Sequence, residues 1–229
     1  MKKKYNYICG SLTLLLCSSL YSQGSPDLEY TNTKKDTIII KELLVLNKDN
    51  EYVPFKWPAK KFFNDENNGG VTRGIRFFNF GCFQSPKDIW QGQIGKDATH
   101  HVKFKTPVWG IRGLIKILIK KHKRGVNTLE SFFKEYAPSS DCIGSLPRLP
   151  DGTCPRGEND PLAYAKHMAK VIGIKTDEKF EYKNEDGAIS IDFIQKFVSG
   201  VASMELPFKE YRIFSIPTDA IQKALDLIR

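Results

Sequence analysis

The alternation of apolar and polar positions is sharpest between Phe104 and Gly125, FKTPVWGIRGLIKILIKKHKRG. Val108, Ile111, Leu114, Ile115 and Leu118 recur at helical spacing on one face, and Arg112, Lys116, Lys120 and Lys123 fall on another. Thr106 is placed to be the N-cap, Pro107 the first helical residue and Gly125 the left-handed residue that closes the C-terminus. The cations from Lys120 to Arg124 sit where the helix dipole is negative. The spacing predicts a core-facing helix with a solvated basic rim, in preference to a helix lying on a membrane.

Similar punctuation recurs downstream. Asn127 opens NTLESFFKEY with Glu130 placed for a capping box, and Tyr136-Ala137-Pro138 stops it. Asp160 and Pro161 read as the cap and first residue of a helix with Leu162, Ala165, Ala169 and Ile172 on its apolar face and Gly173 at its end. Asp177 to Gly187 is acidic and loop-like. Ser190 can cap a helix that turns Ile194, Phe197, Val198, Val201 and Met204 inward and ends at Glu205-Leu206-Pro207. Tyr211 to Ile216 suits a short strand. Thr218 can cap a last helix packed through Ile221, Leu225 and Ile228.

Upstream the period shortens. Val102 and Phe104 alternate with Lys103 and Lys105, as in a half-buried strand. Phe77, Phe78, Phe80 and Phe83 are too many aromatics for an exposed loop and must mostly be buried or line a cleft. Asn64 to Gly70, NDENNGG, marks a boundary. Before it, Thr37 to Leu46 reads as a strand, with helix as the competing reading. Asn47 to Asn50 reads as a turn, and Glu51 to Trp57 as a second strand interrupted by Pro54. Gln23 to Asp36 reads as an extended lead-in. The pattern predicts an α+β fold, mainly helical, with a short N-terminal β region. Its parts are a signal peptide over 1–22, an N-terminal extension over 23–69 and a main helical domain over 70–229.

The signal reading comes from Lys2, Lys3 and Lys4, followed by the mostly apolar stretch from Ile8 to Leu20, with cleavage expected after Ser22. Cys17 offers lipoprotein anchoring as an alternative, for which Leu16 is a poor neighbour. Nothing later is long and charge-free enough to serve as a transmembrane anchor. The formal charge of +9 on 229 residues falls by three with the signal. That balance favours an anionic partner, a cell-wall polymer or lipid surface before nucleic acid, although plain solubility explains it too. Of the five cysteines, Cys82, Cys142 and Cys154 remain after cleavage. A disulfide between Cys142 and Cys154 would tie off CIGSLPRLPDGTC, leaving Cys82 either buried or reactive. His100 and His101 are adjacent and His122 and His167 isolated, so no zinc spacing exists, and no cofactor signature is present.

From Arg73 to Glu205 the chain presents an ordered set: Arg73-Gly74-Ile75-Arg76, Trp90-Gln91-Gly92, Phe104, Gly110-Ile111-Arg112, Asn127-Thr128-Leu129, Tyr136-Ala137-Pro138, Glu158-Asn159-Asp160, Tyr164 and Glu205. This set resembles a family of small phage and prophage virion structural proteins. The resemblance implies a virion-associated, wall-degrading role and a lysozyme-like helical domain. The chain departs from the family where RFFNFGCFQ replaces an asparagine-rich turn and keeps only Asn79. The Cys142–Cys154 loop is an insertion, and the region before Asn64 an addition.

Glycan cleavage needs a carboxylic acid held protonated in a partly apolar site, with a second carboxylate or a water opposite. Glu205, at the end of an apolar helix and before Leu206 and Pro207, is the best acid, and Glu158 or Asp160 could partner it. An N-cap aspartate after a solvated glutamate explains the latter two structurally. Arg73, Arg76 and Arg112 could hold the peptide carboxylates of peptidoglycan, or form structural bridges to Glu158 and Asp160. Asn79 could bind polar groups of a substrate. Trp90, Trp109 and Tyr164 could stack on sugars or lie in the core. No Ser/His/Asp or Cys/His set stands out by local signature. Two functions follow as expectations: an exported, prophage-derived protein acting on peptidoglycan, with lysozyme-like glycosidic hydrolysis as its chemistry, or a non-catalytic envelope or interaction protein. The signal disfavours a nucleic-acid partner.

Overall fold

Secondary structure follows from a handful of local rules. The computed structural model describes residues 37–39, 44–46, 52–54, 73–205 and 213–228. The expected signal, the lead-in, the turn at 47–50, the NDENNGG boundary and Leu206-Pro207 lie outside the described residues. The elements are strands β1 (Thr37–Ile39), β2 (Leu44–Leu46) and β3 (Tyr52–Pro54), then helix α1 (Arg73–Arg76). They continue with β4 (Gln93–Lys96), β5 (Val102–Phe104), α2 (Pro107–Lys123), α3 (Leu129–Tyr136), α4 (Pro161–Ile172), α5 (Ile191–Glu205), β6 (Ile213–Ser215) and α6 (Thr218–Asp226). The fold is α+β and mainly helical.

Helix α2 is the pivot. Its predicted apolar face is buried, with Ile111, Leu114, Ile115 and Leu118 inaccessible to solvent. It packs against α5, α6 and β5, while α3 packs on α4 and α4 on α5. Each fully buried aliphatic side chain here contributes about 2 kcal/mol of transfer free energy. Two details depart from the expected helix. The Thr106 side chain makes no capping bond. Arg112, expected on the basic rim, is buried, because α6 and the 90–92 loop cover that flank. The C-terminus behaves as expected: Gly125, at φ 85°, donates to the His122 carbonyl at 2.9 Å, and Val126 to that of Lys121 at 3.2 Å. This is a Schellman closure.

Helix starts shift by a residue where side chains compete. Thr128, not Asn127, caps α3: its hydroxyl accepts from the Ser131 N–H, and the Ser131 hydroxyl accepts from the Thr128 N–H. Glu130 is drawn instead to the Thr176 hydroxyl. Asp160 caps α4 as expected, accepting from the Ala163 N–H at 2.9 Å, and Gly173 ends it at φ 89°. Leu162 is exposed, however, and Met168 takes the inward position. Thr218 is the first helical residue of α6, and Pro217 occupies the cap position. Helix α5 places Ile194, Phe197, Val198 and Val201 in the core, where Phe197 meets Phe132 edge-on at 5.1 Å between ring centres.

Three two-stranded sheets flank the helices among the described residues. The β2–β3 pair is an antiparallel hairpin and β4–β5 an antiparallel pair with an irregularity between Gln93 and Gly95. Strand β1 runs parallel to β6, pairing Thr37 with Ile213. The segment before the expected boundary therefore contributes to the same compact unit as the helices, Asp36–Arg229. No helix among the described residues is long and apolar enough to cross a membrane.

Candidate active site

Chain segments 73–83 and 97–101, the Cys142–Cys154 loop and the ends of α4 and α5 bring the polar groups together. Between Phe78 and Cys82 the backbone makes a tight irregular excursion, with φ of 50° at Phe78 and 46° at Cys82. Asn79 holds it in shape. Its buried amide donates to the carbonyls of Phe83 (2.9 Å) and Val102 (3.1 Å) and accepts from the Phe83 N–H. Gly110 of α2 admits the Phe78 carbonyl at a distance that no side chain would allow. Beneath the excursion, Tyr136 donates its hydroxyl to the Gly81 carbonyl at 2.5 Å.

Glu205 ends the apolar stripe of α5, so its carboxyl arrives among groups carried by α4 and the 78–82 excursion. The Tyr164 hydroxyl donates to Glu205 Oε1 at 3.1 Å. Burial pushes the Glu205 carboxyl up to about 7, against the opposing pull of the Tyr164 hydrogen bond, the Arg73 charge and the Cys82 thiol. The effect is mutual. Burial and then the Glu205 charge push the Cys82 thiol, the Tyr136 phenol and the Tyr164 phenol well above their ordinary values. Cys82 is the free cysteine among the described residues and is half-buried, and its sulfur stays a thiol at neutral pH.

Arg73 links Glu205 to a second group of residues. Its guanidinium donates to Asp97 Oδ2 (3.3 Å), the Thr99 hydroxyl (3.1 Å) and the Gly144 carbonyl (2.9 Å). Asp97 Oδ1 accepts from the N–H groups of Thr99 (3.0 Å) and His101 (2.8 Å) and from the Thr99 hydroxyl (3.0 Å). Burial works to raise Asp97, but these hydrogen bonds and the charges of His101 and Arg73 outweigh it and hold the carboxyl below its ordinary value. His101 is fully buried, whereas His100 faces solvent. Burial, followed by the Arg73 charge, lowers the His101 imidazole to about 4, so it is neutral near pH 7. Its Nδ1 lies 2.8 Å from Thr99 Oγ1 and 3.3 Å from Asp97 Oδ1, and its Nε2 lies 3.2 Å from Ser145 Oγ.

Of the residues expected from sequence, Tyr164 bonds Glu205, and the Arg73 charge acts on Glu205 while its guanidinium pairs with Asp97. The others go elsewhere. Glu158 is exposed and turns to Arg148, 3.0 Å away, because its backbone is bridged to Cys142 at the base of the loop. Asp160 is spent as a cap. The polar atoms of Asn79 are engaged by backbone, which removes it as a ligand for a substrate. Arg76 stacks over Phe77, 5.4 Å from the ring centre. Arg112 donates to the Leu227 carbonyl at 2.9 Å and to Gln91, and so ties α2 to the C-terminus. Trp90 packs on Phe83 and donates its indole N–H to Ser85 at 2.9 Å. The expected bridges from Arg73, Arg76 and Arg112 to Glu158 or Asp160 are absent among the described contacts: Arg73 pairs with Asp97 instead. Cys142 and Cys154 are joined, with Cα atoms 5.3 Å apart.

Sequence reasoning missed Asp97, Thr99, His101 and Ser145. Asp97 and Thr99 carry a short turn signature, but Ser145 lies 44 positions from His101 and nothing local connects them. No protein-family model matches the chain, and no curated protein matches it either.

Proposed function

We propose that the protein is exported, derives from a prophage virion protein and acts on peptidoglycan, with Glu205 as the general acid of glycosidic hydrolysis in a lysozyme-like domain. The observation that carries this reading is the Glu205 carboxyl pushed up to about 7 by burial. A large fraction of it is then protonated at neutral pH and can give its proton to a leaving glycosidic oxygen. Arg73 supplies a cation that suits the carboxylates of stem peptides. Export is supported by the N-terminal charge and apolarity pattern and by the Cys142–Cys154 pair. The prophage origin rests on the ordered motifs between Arg73 and Glu205.

A second reading, a non-catalytic envelope or interaction protein, is favoured by one observation. Glu158 turns to Arg148, and Asn79, Trp90 and Arg112 are bonded internally, so Glu205 lacks the partner and subsite residues expected for it. Mature protein and Glu205→Gln incubated with purified peptidoglycan separate the two. The enzyme releases reducing sugar, loses activity as pH rises through 7, and drops by about 100-fold or more in Glu205→Gln with folding retained. Co-sedimentation with the wall and no release by the wild type would remove the hydrolase and leave the binder.

A further inference from the structure

We propose that Ser145, His101 and Asp97 form a second active site, a nucleophilic triad that hydrolyses carboxylic esters through an acyl-serine intermediate. The contacts run from Ser145 through His101 to Asp97, with Thr99 lying 2.8 Å from the ring and giving its own hydroxyl hydrogen to Asp97 Oδ1. Ser145 Oγ lies 3.2 Å from His101 Nε2, and His101 Nδ1 lies 3.3 Å from Asp97 Oδ1. Such a constellation is recognised by geometry and roles, not by position in the chain.

Hydrogen-bond bookkeeping assigns the tautomer that the chemistry needs. Thr99 has one hydroxyl hydrogen, and Asp97 Oδ1 takes it at 3.0 Å. Arg73 donates to the same hydroxyl oxygen at 3.1 Å. The 2.8 Å contact between Thr99 Oγ1 and His101 Nδ1 must therefore use a ring N–H, so the proton sits on Nδ1. His101 Nε2 is then bare and accepts from the Ser145 hydroxyl. Asp97 and Thr99 together fix the ring, as the third member of a triad must.

The backbone supports a nucleophile at this point. Ser145 has φ 54°, a left-handed conformation that is costly for serine, directly after Gly144 at φ 75°. Two constraints hold this strained turn. The Ser145 N–H donates to the Cys142 carbonyl at 2.9 Å beside the disulfide, and Arg73 grips the Gly144 carbonyl at 2.9 Å. Ser145 itself is half-buried, with Ile143 and Gly144 exposed beside it, so the turn lies at the surface.

In the reaction, Ser145 Oγ attacks the ester carbonyl carbon while its proton passes to His101 Nε2. The tetrahedral oxyanion forms next to the Arg73 charge. It collapses with cleavage of the C–O bond, and the alcohol leaves with the proton from His101. Water then attacks the acyl-serine, again giving a proton to His101, and the acid departs as Ser145 is restored. An ester is the least demanding substrate for this set, since an amide nitrogen must be protonated before its bond breaks.

The test uses mature protein, a fluorophosphonate probe and p-nitrophenyl acetate, beside Ser145→Gly. Glycine suits φ 54° and removes the hydroxymethyl side chain without straining the backbone, so this variant keeps the turn. The expected results are one phosphonyl group on the peptide containing Ser145 and p-nitrophenolate release at least 10-fold above that of Ser145→Gly. The acid limb of the rate should lie near 4, where burial and the Arg73 and His100 charges, opposed by Asp97, place His101, and not near 6.5. Absence of phosphonyl at Ser145, or equal ester hydrolysis by Ser145→Gly, overturns the proposal. A change confined to thermal stability would mean that Ser145 only anchors the loop, and overturns it too. Glycan release plays no part in these readouts, so the Glu205 reading can fail while this one stands, and the reverse.

Discussion

The α2–α5–α6 packing and the region from Arg73 to His101 are held by different physics. In the first, four of the five α2 side chains predicted from spacing are wholly buried, and any well-sized apolar residue would serve. In the second, named atoms meet at single distances: Asn79 closes one loop through three bonds, and Arg73 bonds three groups on two other segments. The helical packing tolerates drift in side-chain shape. The irregular region does not, because each polar group there bonds several named partners at once in a low-dielectric surround, and a change to one leaves the others unpaired. Asp97 and His101 lie on the second kind of structure, whereas Glu205 is carried to its edge by the end of α5.

The contact between the two regions is where the largest effect should fall. Gly110→Ala sets a methyl group against the Phe78 carbonyl. It should prevent native folding at 37 °C, read as loss of cooperative thermal unfolding. Within the helical packing alone, Leu114→Ala should cost about 2–5 kcal/mol by denaturant titration while leaving the Glu205 titration in place.

The polar region answers to pH. Glu205 has a folded pKa near 7, raised from 4.5, so its contribution to stability is full below 4.5 and is lost as pH rises to 7. The loss amounts to about 3 kcal/mol. His101, lowered from 6.5 to about 4, acts with the opposite sign: its contribution is full above 6.5 and is lost as pH falls to 4. Glu205→Gln should therefore be more stable than wild type at pH 8 and retain only the decline below 6.5, as read from melting temperatures across pH 4–8. A stability profile for Glu205→Gln that parallels wild type would show that Glu205 is not desolvated in solution. The smallest effect tests a helix end: Gly125→Ala, at φ 85° with nothing crowding it, should cost about 1 kcal/mol of conformational strain.

The comparison also explains which expectations could be read from residues alone. Caps shifted by one position at Thr128, whose hydroxyl takes the Ser131 N–H, and at Thr218, which follows Pro217 as the first helical residue. Spacing places Arg112 with the lysines on the solvated rim, yet the end of α6 and Gln91 bury it. Glu158 is one of two carboxylates expected to partner Glu205, and the disulfide loop directs it to Arg148 instead. An apolar helix ending in a carboxylate fits either a shielded acid or an ordinary exposed glutamate, and only the packing around Glu205 shows its burial. Its neighbours Cys82 and Tyr136 are not legible in the sequence.

Local composition and period were enough to determine the helices from Pro107 onward, the half-buried strand before them and the Cys142–Cys154 closure, because each rests on contacts within one or two turns or on one short loop. Only the tertiary structure decided that Arg73 spans Asp97, Thr99 and Gly144, and that Ser145 meets His101. Those encounters join residues 24 to 71 positions apart across irregular backbone. No periodicity encodes such a meeting, since it depends on how whole elements settle against one another.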